Sequence, residues 1–482
     1  YSTELLQRKE IDAIFIITKS SLMYQWQREY LAFTTGYDES DICFIDNVNK
    51  KTGIENLSDK KIIIIPNHLL SDLVLQETRG VIPRKQSSLQ WGRIKLDLRK
   101  AWKKNRIALI IDEAHHFKNP KSVMSKALKS ISDSFEHKLF LTATPAINSF
   151  LDWYGIMFGL SPKIIPFTFK AFTINVAKEI GDSYNIYTIH EFDLDKISEI
   201  NQLLSNFVIK RRKIDIPEFK FKLINQPIYF QLDPNIRKVY DAISEEEADR
   251  ISYNSDGSLN EERLSNTFQS SLQLIDNPEL MRDKIPNKDL NNILIKWTLD
   301  KDPRVKYLEE ELRDLEELGE KLIIFDNHPK TLDYLAEKFK KYCPLVIHGG
   351  KNLNKEQRQE IQDRFNNKND PCKLLLLSYG TSSSGLNLQR GGRRVTFFSL
   401  IYDALFIAQA MERTHRINST DDTIVKFFII DDTIDTYRYY RVQNRVEFND
   451  IFLAQNNAFS KKIHFFDKED LNRILKGAFG GK

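Results

Sequence analysis

Nine short apolar runs punctuate this chain, in two sets separated by a long stretch of different character. The first set is Ile14–Ile17, Ile62–Ile65, Leu109–Ile111 and Leu139–Leu141; the second is Leu322–Phe325, Leu345–Ile347, Leu374–Leu377, Val395–Phe398 and Val425–Ile430. Such runs carry no polar alternation, so they read as strands buried on both faces. Charged segments with helical spacing lie between most of them, as at 329–342 and 355–365. Strand–helix alternation of this kind implies parallel sheets joined by right-handed crossovers. The expected fold class is therefore α/β with two lobes, and 482 residues suit two or three domains.

Composition narrows the setting. A hydrophobic share of 41% with 31 Phe supplies large cores, yet no apolar run approaches the ~20 residues that span a bilayer, so no membrane association is expected. Cys43, Cys343 and Cys372 are isolated, without CxxC spacing. That argues against a disulfide frame or zinc site and for an intracellular, reducing compartment, cytoplasm, nucleoid or nucleus. A net charge of +4 excludes a basic nucleic-acid coat. Local basic clusters at 95–106 and at Lys210-Arg211-Arg212-Lys213 remain open to two readings, solvated surface or phosphate contact.

Chemistry concentrates where apolar runs end. Leu109-Ile110-Ile111 runs into Asp112-Glu113-Ala114-His115-His116-Phe117-Lys118-Asn119, delivering two acids to the carboxyl edge of a sheet, where open α/β folds bind ligands. An aspartate there can hold Mg²⁺, and the glutamate beside it can orient or deprotonate a water. Ile14–Ile17 ends in Thr18-Lys19-Ser20-Ser21, followed by Trp26 and Glu29; hydroxyls, amides and a helix start can cradle phosphate. Leu139–Leu141 ends in Thr142-Ala143-Thr144-Pro145, two hydroxyls and a proline that stops the strand. Leu374–Leu377 leads to a Gly- and Ser-rich turn through Ser383-Ser384-Gly385, whose amides can face phosphate. Gln409, Arg413 and Arg416 stand at i, i+4 and i+7, one helix face, and planar guanidinium groups suit the charge on transferring phosphoryl oxygens.

In this order, together with Phe207-Val208-Ile209-Lys210-Arg211-Arg212 and Ser271 through Asp276-Asn277-Pro278, these segments resemble the Swi/Snf-type branch of helicase superfamily two. The resemblance covers nearly the whole chain. It implies two RecA-like lobes with parallel sheets, plus a largely helical inter-lobe insertion. Expected boundaries are 1–165 for the first lobe, 166–290 for the inter-lobe region (about 200–232 returning to the first lobe), 291–445 for the second lobe and 446–482 for a tail helix.

The resemblance also implies roles. Asp112 holds Mg²⁺ through water and Glu113 activates the attacking water. Arg413 and Arg416 act from the other lobe of a cleft that takes ATP, and His115, Thr142, Thr144, Gly385 and Gln409 serve the nucleotide. Thr18, Lys19, Ser20, Ser383 and Ser384 touch the phosphates of double-stranded DNA. The Asp-Asn-Pro at 276–278 replaces the family's Cys-Asn-His-Pro and reads as scaffold variation. The tail segment 465–479 is expected to dock on the second lobe or on a protein partner.

The implied function is an ATP-dependent double-stranded DNA translocase. The alternatives are a strand-separating or branch-migrating helicase, and a non-hydrolysing DNA-binding scaffold. No GxxxxGK[ST] loop occurs in the sequence, which opens on Tyr1. That loop is expected just upstream of Tyr1 in a longer product, and residues 1–482 alone are expected to bind ATP poorly and hydrolyse almost none.

Overall fold

The computed structural model describes residues 2–46, 57–74, 106–145, 150–161, 163–165, 168–183, 186–209, 221–248, 267–382, 386–388, 390–414 and 421–453. The chain divides into two compact units, residues 1–180 with 189–208, and 181–188 with 209–482.

The first unit is built on a five-stranded parallel sheet: β1 (Ala13–Thr18), β2 (Ile42–Phe44), β3 (Ile62–Pro66), β4 (Ile107–Ile111) and β5 (Lys138–Phe140), in the order β2-β3-β1-β4-β5. Every residue of β1, β3 and β4 is buried, as unbroken apolar strands in the middle of a parallel sheet must be. Central β1 pairs with β4 in the register Ile17↔Ile111. Thr18 and Asp112, the next residue of each strand, therefore leave the sheet side by side. Helix Met23–Phe33 follows β1, and Trp26 packs on the core of Ile14, Ile16, Ile62 and Ile110.

Farther along, β6 (Ala177–Ser183) and β7 (Ile186–Phe192) form a separate two-stranded sheet. The region expected to be largely helical thus contains a β ribbon.

The second unit holds a six-stranded parallel sheet: β8 (Leu223–Phe230), β9 (Leu322–Asp326), β10 (Leu345–Ile347), β11 (Leu374–Ser378), β12 (Arg394–Phe397) and β13 (Thr423–Ile430), in the order β10-β11-β9-β12-β13-β8. Here one expected boundary is corrected. Residues 223–230, read as returning to the first lobe, pair with β13 along its whole length, Leu223↔Thr423 through Phe230↔Ile430. The reason is edge chemistry. Pro227 cannot donate to a second neighbour, which suits a strand paired on one side only.

Helices Pro234–Ala248, Gln269–Asp276 and Lys288–Lys296 share one core with Ile430, Ile434 and Tyr437 of the C-terminal part. These three helices thus belong to the second unit's body. Asp276 is no neutral variation. Buried at 3% exposure, it receives Arg438 Nη2 at 2.6 Å and lies 3.1 Å from His328 Nε2. Asp435 receives Arg438 Nε at 2.9 Å. This closed ion cluster joins helix Gln269–Asp276 to helix Ile434–Leu453.

Candidate nucleotide site and its two motif groups

The acidic pair sits at the carboxyl end of β4, where the chain turns sharply. Asp112 N–H still donates to the Ile17 carbonyl at 2.8 Å, keeping it in the sheet. Glu113 then takes a left-handed conformation, φ 53° and ψ 49°, which costs a non-glycine residue about 1–3 kcal/mol. That turn starts the short 3₁₀ segment Ala114–Phe117.

Two neutral donors fix Asp112. Thr18 Oγ1 donates to its Oδ2 at 2.9 Å and Trp26 Nε1 to the same oxygen at 2.8 Å. Oδ1 has no hydrogen-bond donor among the described residues.

His115 connects this edge to the next strand. It is 3% exposed, with Nδ1 lying 3.1 Å from Thr142 Oγ1 and 3.2 Å from Glu113 Oε2. Burial, with His116, Lys19 and Lys118 nearby, pushes its pKa down to about 2. The ring is therefore neutral, and its approach to Glu113 is not an ion pair. Thr142 Oγ1 also accepts the Thr144 amide at 3.2 Å. Backbone bonds from Leu141 N–H to Ile111 and from Ala114 N–H to Leu141, both 2.8 Å, hold the two segments edge to edge. His115 Nε2 and Thr144 Oγ1 are buried with no partner among the described residues. Buried polar atoms left over after the fold is complete point to a ligand or water.

The Lys-Asn-x-x-Ser extension has a structural job. Lys118 Nζ reaches Asp152 at 3.2 Å, Asn119 Oδ1 accepts the Lys121 amide at 2.9 Å, and Ser122 caps helix Val123–Ser132. Behind it, helix Asp152–Leu160 approaches so closely that a Cβ at Gly155 would overlap the Lys118 carbonyl. Only glycine fits there, and its absence of side chain sets the depth of the 112–118 turn.

The expected DNA-contact residues divide. Thr18 is corrected: it is fully buried and spends its hydroxyl on Asp112, so it has no surface to offer a phosphate. Lys19 is half-buried and Ser20 exposed, just before helix Met23–Phe33. Ser383, Ser384 and Gly385 lie outside the described residues.

In the second unit, Gln409 is 6% exposed and its Oε1 has no partner among the described residues. Helix Ala404–Glu412 ends just before Arg413, which caps it and remains half-buried. The Arg413 carbonyl accepts the Leu388 amide at 3.2 Å, so the end of this helix is tied to the segment that follows Gly385. The helix is thus shorter than the 409–416 face expected. Arg416, the basic residues 210–213 and the tail 465–479 lie outside the described residues.

Trp26 is the residue whose part in this site the sequence did not disclose. It is 86 residues from Asp112, and only its place near the start of the helix that follows β1 hinted at proximity.

Among the described residues no three His, Cys, Asp or Glu side chains converge on one point. The donor set fits Mg²⁺ nonetheless, because that ion keeps several waters and takes one or two carboxylates plus substrate phosphates. Asp112 Oδ1 is the carboxylate oxygen left for it.

Each unit is a parallel α/β sheet of the RecA-like kind, and the acidic turn marks the chain as one of the helicase-type ATPase folds. The chain belongs to the SNF2-related family: it matches the SNF2-related domain over residues 3–280 and the helicase conserved C-terminal domain over residues 303–418. It is 23% identical over 381 residues to the ISWI chromatin-remodeling complex ATPase ISW1 of Saccharomyces cerevisiae, covering 77% of this chain and 32% of that protein. It is 23% identical over 359 residues to a chromodomain-helicase-DNA-binding protein 1-like protein of Danio rerio, covering 74% and 32%. The chain spans about a third of the length of these curated relatives. A solved structure, the Sulfolobus solfataricus SWI2/SNF2 ATPase core in complex with dsDNA, aligns over 98% of this chain and 88% of that one, with 21% identity and a TM-score of 0.36.

Proposed function

We propose that this chain is the motor of an ATP-dependent double-stranded DNA translocase. The observation that carries the reading is the acidic turn: Asp112 clamped through one oxygen, Glu113 in the left-handed position that follows it, and neutral His115 bridging to Thr142. Glu113 orients the attacking water and takes its proton; His115, held neutral 3.2 Å away, leaves the charge of the Glu113 carboxylate uncancelled. Thr144 and Gln409 offer hydrogen bonds to the nucleotide. Arg413 and Arg416 stabilise phosphoryl charge, a role worth roughly 10³-fold or more in rate. Bound Mg²⁺ would supply charge neutralisation on the phosphates, with Asp112 as its protein anchor.

The names of the relatives support ATP and DNA as substrates: one is an ATPase of a chromatin-remodeling complex, another a helicase-DNA-binding protein. Lys19 and Ser20, next to Thr18, are the proposed DNA contacts of the first unit, and Ser383 and Ser384 those of the second. Contacts of this kind are to phosphate, so sequence preference is slight and binding weakens with salt.

The test is ATP turnover by the full-length gene product with and without nucleic acid. Duplex DNA is expected to raise turnover, and single-stranded RNA to leave it near basal. A response to RNA but not to duplex DNA would overturn the substrate assignment.

A further inference from the structure

The geometry points to Trp26 and Thr18 as a positioning pair that sets which oxygen of Asp112 faces the metal–nucleotide; this inference deepens the ATPase reading and rests on it. Both donors converge on Oδ2, at 2.8 and 2.9 Å, and neither bonds Oδ1. A carboxylate on a short side chain otherwise rotates freely enough to present either oxygen. Two donors from different directions remove that freedom, because turning the group would break both bonds.

The chemical type of the donors matters as much as their placement. An indole N–H and a hydroxyl are neutral, so they orient the carboxylate without neutralising it. Lys or Arg in their place would compete with a divalent cation for the same charge. The donors also come from one continuous piece of chain. Thr18 is the last residue of β1, Trp26 lies in the second turn of helix Met23–Phe33, and Lys19 and Ser20 sit between them. The helix is seated by Met23 and Tyr30 in the core, with Trp26 packed on the same cluster. The indole is thus held by packing before it donates, as a rigid support for a metal-binding side chain needs to be.

Trp26→Phe keeps the packing and deletes the donor. Thr18→Val deletes the hydroxyl, and Thr18→Ser keeps it. Two measurements decide the matter.

The first needs no catalysis. In ¹⁵N-indole NMR spectra of residues 1–482, the cross-peak lost in W26F is that of Trp26. It is expected at low field, as for an indole bonded to a carboxylate, and D112N is expected to displace it. An indole peak that ignores D112N would overturn the inference.

The second is the Mg²⁺ dependence of ATP turnover by the full-length gene product. W26F and T18V are expected to raise the Mg²⁺ half-saturation roughly 10–100-fold, the usual effect of losing a residue that supports a metal ligand. At saturating Mg²⁺ the KM for ATP should change little, and T18S should stay near wild type. Unchanged Mg²⁺ half-saturation in both W26F and T18V, with turnover still abolished in Glu113→Gln, would reject the positioning role. Full turnover in Glu113→Gln would instead bring down the ATPase reading and the metal part of this inference with it, while leaving the indole result intact.

Discussion

Glu113→Gln in the full-length gene product is expected to lower ATP turnover by roughly 10²–10⁴-fold, the usual contribution of a positioned general base, while nucleotide binding survives. The expectation follows from the turn at Glu113. Its backbone is left-handed, φ 53°, and its carboxylate takes no part in the Thr18 and Trp26 bonds to Asp112, so the amide replacement leaves them in place. Glutamine has nearly the same shape and fits beside His115, which is neutral, its pKa pushed down to about 2. What is lost is proton affinity at the water. Stopped turnover with normal binding of a fluorescent nucleotide is the predicted pattern. Turnover within a few-fold of wild type would remove Glu113 from the catalytic role.

Arg438→Met is expected to destabilise the second unit by about 3–5 kcal/mol, the typical loss when one partner of a buried ion cluster is deleted. Arg438 is 2% exposed, and Asp276 and Asp435 are 3% and 1%. Burial alone raises the pKa of Asp276, but the Arg438 guanidinium, with help from His328, outweighs it and holds the carboxyl at about 2. Its unfolded value is near ~3.9. In the wild type this group therefore contributes stability above pH ~4, which is lost as pH falls through about 2. In R438M the sign reverses: burial now dominates, Asp276 is raised, and the folded state gains as pH falls and the acid protonates. Urea denaturation should show the deficit largest at neutral pH and narrowing toward pH 4. A deficit below 1 kcal/mol, or one that widens on acidification, would contradict this account of the cluster.

Much of the fold was legible because buried parallel strands leave a plain trace. All nine apolar runs are strands of the two sheets. The strands that escaped notice lack that trace. β2 is only three residues, Ile42–Phe44, β6 is polar, and β7 mixes apolar with polar residues without an unbroken apolar run. β8 contains Pro227, which speaks against a strand unless the strand is an edge.

The candidate site was legible where its residues are consecutive, as in Asp112 through Asn119. It was not legible where partners meet across the chain. Nothing local reveals that Thr18 turns inward to Asp112 while Lys19 and Ser20 do not. Nor does Asp276 announce Arg438, 162 residues away. An acid in place of the family's cysteine reads as drift until helix Ile434–Leu453 brings its counter-charge to it.

ATP-driven movement along duplex DNA strips a third strand from a DNA triplex, and that displacement can be followed directly. The full-length gene product, with ATP and Mg²⁺, is expected to strip the triplex-forming strand from a duplex without unwinding a forked duplex of equal length. Glu113→Gln should leave the triplex in place. Separation of the forked strands with the triplex untouched, or triplex loss that does not depend on ATP, would contradict it.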